Sequence, residues 1–221
     1  MSIDLKPLTF PKWLAALLGL AVLTILLGGI AFLRTQASQA QCEAEEQLTA
    51  IAQLKTQLLA NWRAERLADA DSFAGSPFFV TTIADWLAAP QPQTTASIIS
   101  RFQALQRLQE YSDIVLVDGA RQPRLSLSGA LSPLDADELA ALPPAWQQAQ
   151  PIFCDLHRTP AGAIMLEVIA PLIHQRDARM VGAVLMKIDP QQRLYPLLQT
   201  WPVPSASAEA LLVRRDGESV T

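Results

Sequence analysis

Histidine, cysteine and glycine are all scarce in this chain: it holds 2 His, 2 Cys and 9 Gly among 221 residues. Cys42 and Cys154 stand far apart and make no paired-thiol metal spacing. A disulfide would need their Cα atoms within about 7 Å, yet one follows a long apolar run and the other sits in a candidate strand, so both read as free thiols. With only His157 and His174 to work with, a zinc site would need carboxylates to complete it, and no metal is expected. A Gly-rich phosphate loop, a paired-His zinc motif and a Gly-x-Ser-x-Gly elbow are all missing, so neither catalysis nor a cofactor is expected. Concentrated positive charge is lacking too. The 17 Lys and Arg are scattered and outnumbered by 21 Asp and Glu, giving a net charge of −4 and no electrostatic footprint for nucleic acid.

What is present is a long uncharged run, Trp13 to Leu33 (WLAALLGLAVLTILLGGIAFL). A helix of about 20 apolar residues crosses the ~30 Å hydrocarbon core of a bilayer. A cleaved signal has an apolar region of only about 7–15 residues followed closely by small residues, whereas Arg34 interrupts the approach to Ser38 and Ala40. Cys42 follows Gln39, Ala40 and Gln41, which is not a lipoprotein signal. The reading is therefore an uncleaved, single-pass anchor. Lys6 and Lys12 precede it and Arg34 is the nearest basic residue after it, so residues 1–12 are expected in the cytoplasm and the remainder outside it.

From Gln36 to about Asp71 neither Gly nor Pro occurs, and Ala, Gln, Glu, Leu and Arg dominate, which predicts one long helix over 34–71 leaving the membrane. Leu48, Ile51, Leu54, Leu58 and Trp62 recur at three- and four-residue steps. From Ile51 onward that stripe is expected to pack on its own domain; the lower half suits a parallel homodimer. Ser76-Pro77 ends the run. A short helix from Phe78 to Ala89 follows, with Phe78, Phe79, Ile83, Trp86 and Leu87 as core, then an amphipathic helix from Thr95 to Glu110 whose face is Ile98, Ile99, Phe102, Leu105 and Leu108.

The period then changes to two. Asp113–Val117, Asp118-Gly119 and Arg124–Ser128 read as a β-hairpin. A helix is expected from Ser132 to Leu142, begun by Pro133 and stopped by Pro143-Pro144. Three strands follow at Ile152–His157, Ala163–Ile173 and Met180–Ile188, the last two apolar on both faces. The fold class is α+β: a five-strand antiparallel sheet covered on both sides, with the long helices on one face. After it come a helix over Gln192–Thr200, a WPVPS linker, a strand at Ala210–Arg214 and a turn at Asp216-Gly217. A half-hairpin buries too little to be stable, so the sequence is expected to be a piece of a longer protein.

The helical WRAERLADA (Trp62 to Ala70), the strand segment DLHR (Asp155 to Arg158) and the run IDPQQRLYPLLQTWPVPSASAEALLVRRDGES (Ile188 to Ser219) carry a family likeness. With the order of elements, they resemble the N-terminal region of a bacterial double Cache sensor, a PAS-like extracytoplasmic module preceding histidine kinases, diguanylate cyclases or chemoreceptors. The resemblance implies a membrane-distal PAS-like lobe over 72–189, a connecting helix and linker over 190–205 and the start of a second PAS-like lobe over 206–221. It also implies an inner-membrane receptor with a periplasmic or extracellular lobe, and an output domain beyond this chain. One departure bears on the ligand. The amino-acid-binding subset carries Arg followed two residues later by Trp on the long helix, but here Trp62 precedes Arg63, which disfavours an amino acid.

A strict period of two places Phe153, Asp155 and His157 on one face and Ile152, Cys154 and Leu156 on the other. An ionised Asp beside a His on a half-buried face suits a small polar or anionic ligand, with His157 and Arg158 as donors and Arg66 and Tyr111 as further candidates. The other reading of Asp155 and His157 is an internal ion pair that pins the loop. Two functions are therefore in view: a ligand-sensing input module, and a membrane-anchored scaffold for a protein or cell-envelope partner.

Overall fold

The computed structural model describes residues 12–109, 111–201, 209–213, 215–216 and 219–220. Residues 1–11, most of the predicted linker and Gly217 of the last predicted turn lie outside the described residues. The chain divides into two compact units, Met1–Leu54 and Lys55–Thr221.

The described part of the first unit belongs to helix α1, which runs Lys12–Ala74. Its 18-residue apolar window has a mean hydropathy of 2.6 and none of it is buried by protein. Leu17, Ile25, Phe32 and their neighbours are exposed, and the helix is long and apolar enough to cross a membrane. Leu48 and Leu54 are also more than half exposed.

The second unit is built on a five-stranded antiparallel sheet of order β2-β1-β5-β4-β3, with β1 at Asp113–Asp118, β2 at Pro123–Ser126, β3 at Ile152–Arg158, β4 at Ile164–His174 and β5 at Arg179–Ile188. The strands arise where the sequence places them, because β4 and β5 are apolar on both faces and occupy the middle. Short Pro-bearing β2 closes one edge, where a missing N–H does no harm. The β1–β2 connection is longer than a two-residue turn: Asp118 Oδ1 accepts the N–H groups of Ala120 and Gln122, both at 2.9 Å, and Arg121 takes a φ of 63°. Gly182 on β5 is required by close approach, since a Cβ there would lie 2.1 Å from the Val117 carbonyl oxygen of β1.

One face of the sheet is covered by the end of α1 together with α2 (Pro77–Ala88) and α3 (Pro92–Gln109). Ala70, Phe73, Phe79, Ile83, Ile98 and Phe102 fill that layer, and the Arg101 guanidinium carbon stands 5.1 Å and 4.5 Å from the ring centroids of Phe73 and Phe79. Three predicted core positions are instead outside it: Phe78 is 79% exposed, Leu108 is 76% exposed, and Leu58 is 43% exposed. The inward stripe of α1 shares Trp62 with the predicted one but otherwise shifts, running through half-buried Leu59, Trp62 and Leu67 to buried Ala70 and Phe73.

The other face is covered by α4 (Ala136–Gln148), which differs from the prediction at both ends. Its N-cap is Asp135, whose Oδ1 accepts the Glu138 N–H at 2.8 Å while Glu138 Oε2 accepts the Asp135 N–H at 2.6 Å, a reciprocal capping box. Pro143 and Pro144 do not stop it, because Leu142 and Ala145 on either side of them are fully buried against the sheet, and that burial outweighs the lost backbone bonds. After β5 comes the short helix α5 (Leu194–Gln199), anchored by buried Leu194 and Leu198. Ala210–Val213 of the next predicted strand are irregular; the pairing found there is between β6 (Arg215–Asp216) and β7 (Ser219–Val220).

Candidate functional site

A cavity of about 510 Å³ lies between α1, β3, β4 and α5. Leu59, Trp62 and Arg63 supply one wall, Phe153, Asp155 and Leu156 another, and Leu212 and Val213 border it. The walls are mostly apolar and the rings interlock: Trp62 and Phe153 have centroids 5.8 Å apart, and Arg63 Cζ stands 5.1 Å from the Phe153 centroid. Two charges of opposite sign face this space, Arg63 from α1 and Asp155 from β3. Neither makes an ion pair with another described residue. A mostly apolar pocket with a few polar groups left free is the composition of small-molecule sites.

The predicted site residues do not assemble there as a group. Asp155 does line the cavity, but His157 does not, because β3 carries a bulge between Cys154 and His157: Cys154 pairs with Glu167 and His157 with Met165. The extra residue moves His157 to the Cys154 face, beneath α4, where its Nε2 is 3.1 Å from Asp135 Oδ2 and its Nδ1–H donates to the Asp155 carbonyl at 2.9 Å. The expectation that Asp155 and His157 share a face is overturned by that single residue. Arg158 is exposed and donates to the Gly162 carbonyl at 2.8 Å, closing the β3–β4 turn.

Arg66 and Tyr111 are brought together on the α1 side. Arg66 donates to the Gln109 carbonyl at 3.3 Å, stands 3.3 Å from Asp69, and borders a separate cavity of about 310 Å³ with Glu65 and Gln192. Tyr111 is buried beside Arg66, and burial, opposed in part by Arg66, pushes its pKa up to about 12. The residues that the sequence reading passed over are Arg63 and Trp62 as walls. The signal for them is a Trp-Arg pair on the apolar stripe of the long helix, where Trp62 reads as packing and Arg63 as a solvated neighbour.

On the α4 side the sheet holds a buried polar cluster. Lys187 Nζ donates to Glu138 Oε1 at 2.6 Å and lies 3.2 Å from Glu167 Oε1. Burial, reinforced by Glu138, raises the Glu167 pKa to about 8, and burial with the charge of Glu167 raises the Cys154 thiol to about 12.

No protein-family model matches the sequence, and no curated protein is similar to it. Solved structures are similar in fold. The sensory domain of the Campylobacter jejuni chemoreceptor Tlp3 superposes with a TM-score of 0.51 at 12% identity, covering 75% of this chain and 68% of that one. The lobe has the fold of a chemoreceptor sensory domain. The same Tlp3 domain with isoleucine bound gives 0.51 at 10% identity over 74% of this chain and 66% of that one. The ligand-binding domain of the Pseudomonas fluorescens chemoreceptor CtaA with L-alanine gives 0.46 at 14% identity, covering 69% of this chain and 62% of that one. The chain thus spans about two thirds of the length of these sensory domains. The Cache-like, α+β expectation is borne out at the level of fold.

Proposed function

We propose that this chain is the extracytoplasmic input region of a membrane-bound receptor, and that the 510 Å³ cavity takes a small polar ligand. The observation that carries this reading is the pair of unpaired, opposite charges set in an aromatic wall. Arg63 suits an anionic group, Asp155 suits a cationic or donating group, and Trp62 and Phe153 enclose the rest. Tlp3 and CtaA, named above, bind amino acids. The order of Trp62 and Arg63 argues for a different ligand in this chain.

Three cavity residues belong to α1, so occupancy bears directly on the helix that carries the membrane-spanning stretch. A ligand shifts that helix only through different affinity for its two positions. Exposed Leu48, Leu54 and Leu58 favour a parallel homodimer through α1, with the signal passed to an output domain outside this chain.

The test is thermal shift of the detergent-solubilised chain against a library of small polar metabolites, repeated with Arg63→Ala and Asp155→Asn. A hit that stabilises the parent and neither variant supports the reading; hits insensitive to both variants, or a failure of every compound while a protein partner is recovered, would favour the scaffold. Orientation is tested separately: a phosphatase reporter fused after Thr200 is active only if that point is exported.

A further inference from the structure

The buried cluster beneath α4 takes no part in that reading. We propose that Cys154 Sγ, His157 Nδ1 and a Glu167 carboxylate oxygen form a site for a transition-metal dication of the zinc or cobalt type. All three residues are buried, and the three donor atoms lie within 4.8 Å of one another. Sγ and Nδ1 are 3.7 Å apart. Two ligands held at about 2.3 Å (sulfur) and about 2.0 Å (nitrogen) on one tetrahedral ion stand roughly 3.5 Å apart, so this pair is already near ligand spacing.

Two further observations point to a cation. Glu167 is 0% exposed; Lys187 Nζ pairs with its Oε1 at 3.2 Å and Glu138 stands beside it, yet neither carboxylate oxygen accepts a hydrogen bond of good geometry among the described residues. One ammonium shared with Glu138 leaves a fully buried carboxyl group short of partners, and a metal would supply the rest. The setting of His157 is the second. Its Nε2 lies 3.1 Å from Asp135 Oδ2 without hydrogen-bond geometry, which places a carboxylate where one usually supports a metal-bound histidine. With the proton on Nε2, Nδ1 is left to bind, and its present hydrogen bond to the Asp155 carbonyl is exchanged for the metal bond.

Charge and donor type narrow the ion. A thiolate and a carboxylate offset a dication, and the nearby Lys187 ammonium is already matched by Glu138. A sulfur donor disfavours magnesium and calcium, and a thiolate–imidazole–carboxylate set suits zinc, cobalt or iron. Three protein ligands leave a fourth position for water or a small ligand. The bulge in β3 is what creates the set, since regular pairing would put His157 on the opposite face from Cys154.

The test uses the full chain in detergent with Cys42→Ser, which leaves Cys154 as its one thiol. Cobalt(II) chloride should give a thiolate-to-metal charge-transfer absorption with tetrahedral ligand-field bands, saturating at one equivalent and bleached by zinc. Cys154→Ser in that background should lose the charge-transfer band. Asp135→Asn should weaken binding about 10–100-fold. Glu167→Gln should change the ligand-field spectrum. Absence of the charge-transfer band in Cys42→Ser protein that is folded by circular dichroism overturns the proposal, even if Cys154→Ser does not fold. A band that survives Cys154→Ser overturns it as well.

Discussion

Replacing His157 and Asp155 by alanine, one at a time, separates the two faces of β3. The His157 side chain is 5% exposed and that of its partner Asp135 is 9% exposed. Deleting the imidazole strands a buried carboxylate whose remaining contact is the Glu138 N–H. Removing one member of a buried pair costs about 3–5 kcal/mol. In a unit of this size each kcal/mol moves the melting midpoint by roughly 2–4 °C, so His157→Ala should melt about 6–20 °C lower. Asp155 is exposed and its carboxylate has no ion-pair partner among the described residues, so Asp155→Ala should stay within about 0.5 kcal/mol of the parent. The assay is urea unfolding followed by tryptophan fluorescence at neutral pH with a chelator present, beside thermal melts by circular dichroism. A double-mutant cycle with Asp135→Ala then isolates the pair from the loss of the α4 cap. Equal losses for the two alanine variants, or a larger loss for Asp155→Ala, would refute the face assignment and with it the bulge.

Gly182→Ala should leave little soluble, folded protein. Its Cβ would sit 2.1 Å from the Val117 carbonyl oxygen, and parting β1 from β5 forfeits ladder bonds at about 1 kcal/mol each; soluble yield and melting check this, and a parent-like melt refutes it. Tyr111 titrates near 12 in the fold against 10.0 unfolded, so the native state keeps a proton that the unfolded chain releases, and stability falls as pH rises from 10 toward 12. Tyr111→Phe should flatten that decline; melts on either side of pH 10 decide, and an unchanged decline refutes it. Arg101→Ala should cost about 1 kcal/mol by chemical denaturation, with Arg101→Lys in between, because the flat guanidinium covers both Phe73 and Phe79; identical losses for the two variants would argue against the ring contacts.

The sheet was legible in the sequence because its signals are local. β-rich runs with a period of two, Asp118-Gly119 and Thr159-Pro160 mark strands and turns without reference to anything distant. The errors fall where a distant contact overrides the local signal. Pro143-Pro144 reads as a helix stop until the burial of Leu142 and Ala145 against the sheet is known. Phe78 and Leu108 look like core by type and spacing, but which arc of a short helix meets the sheet is set by its neighbours. The bulge was invisible for a related reason: one extra residue in β3 shows only in its register with β4, and it changes the surroundings of every later side chain. So Asp155 was found as a cavity residue, while the meeting of His157 with Cys154 and Glu167 was not, because Glu167 lies on the neighbouring strand and looks like a solvated acid in an apolar run.

The central strand β5 is the last of the five to be made. During synthesis β1 and β2 emerge first, and the inner edge of β1 has no mate until Arg179–Ile188 follows; β4 waits likewise on its inner side. Val115 must find Leu185 across the whole intervening chain, a closure that costs entropy before any contact repays it. The lobe therefore cannot be assembled strand by strand as it leaves the ribosome or a translocon. A chain interrupted before β5 presents two apolar hairpins with open edges, the kind of surface that chaperones and proteases bind, so incomplete copies carry their own mark for removal.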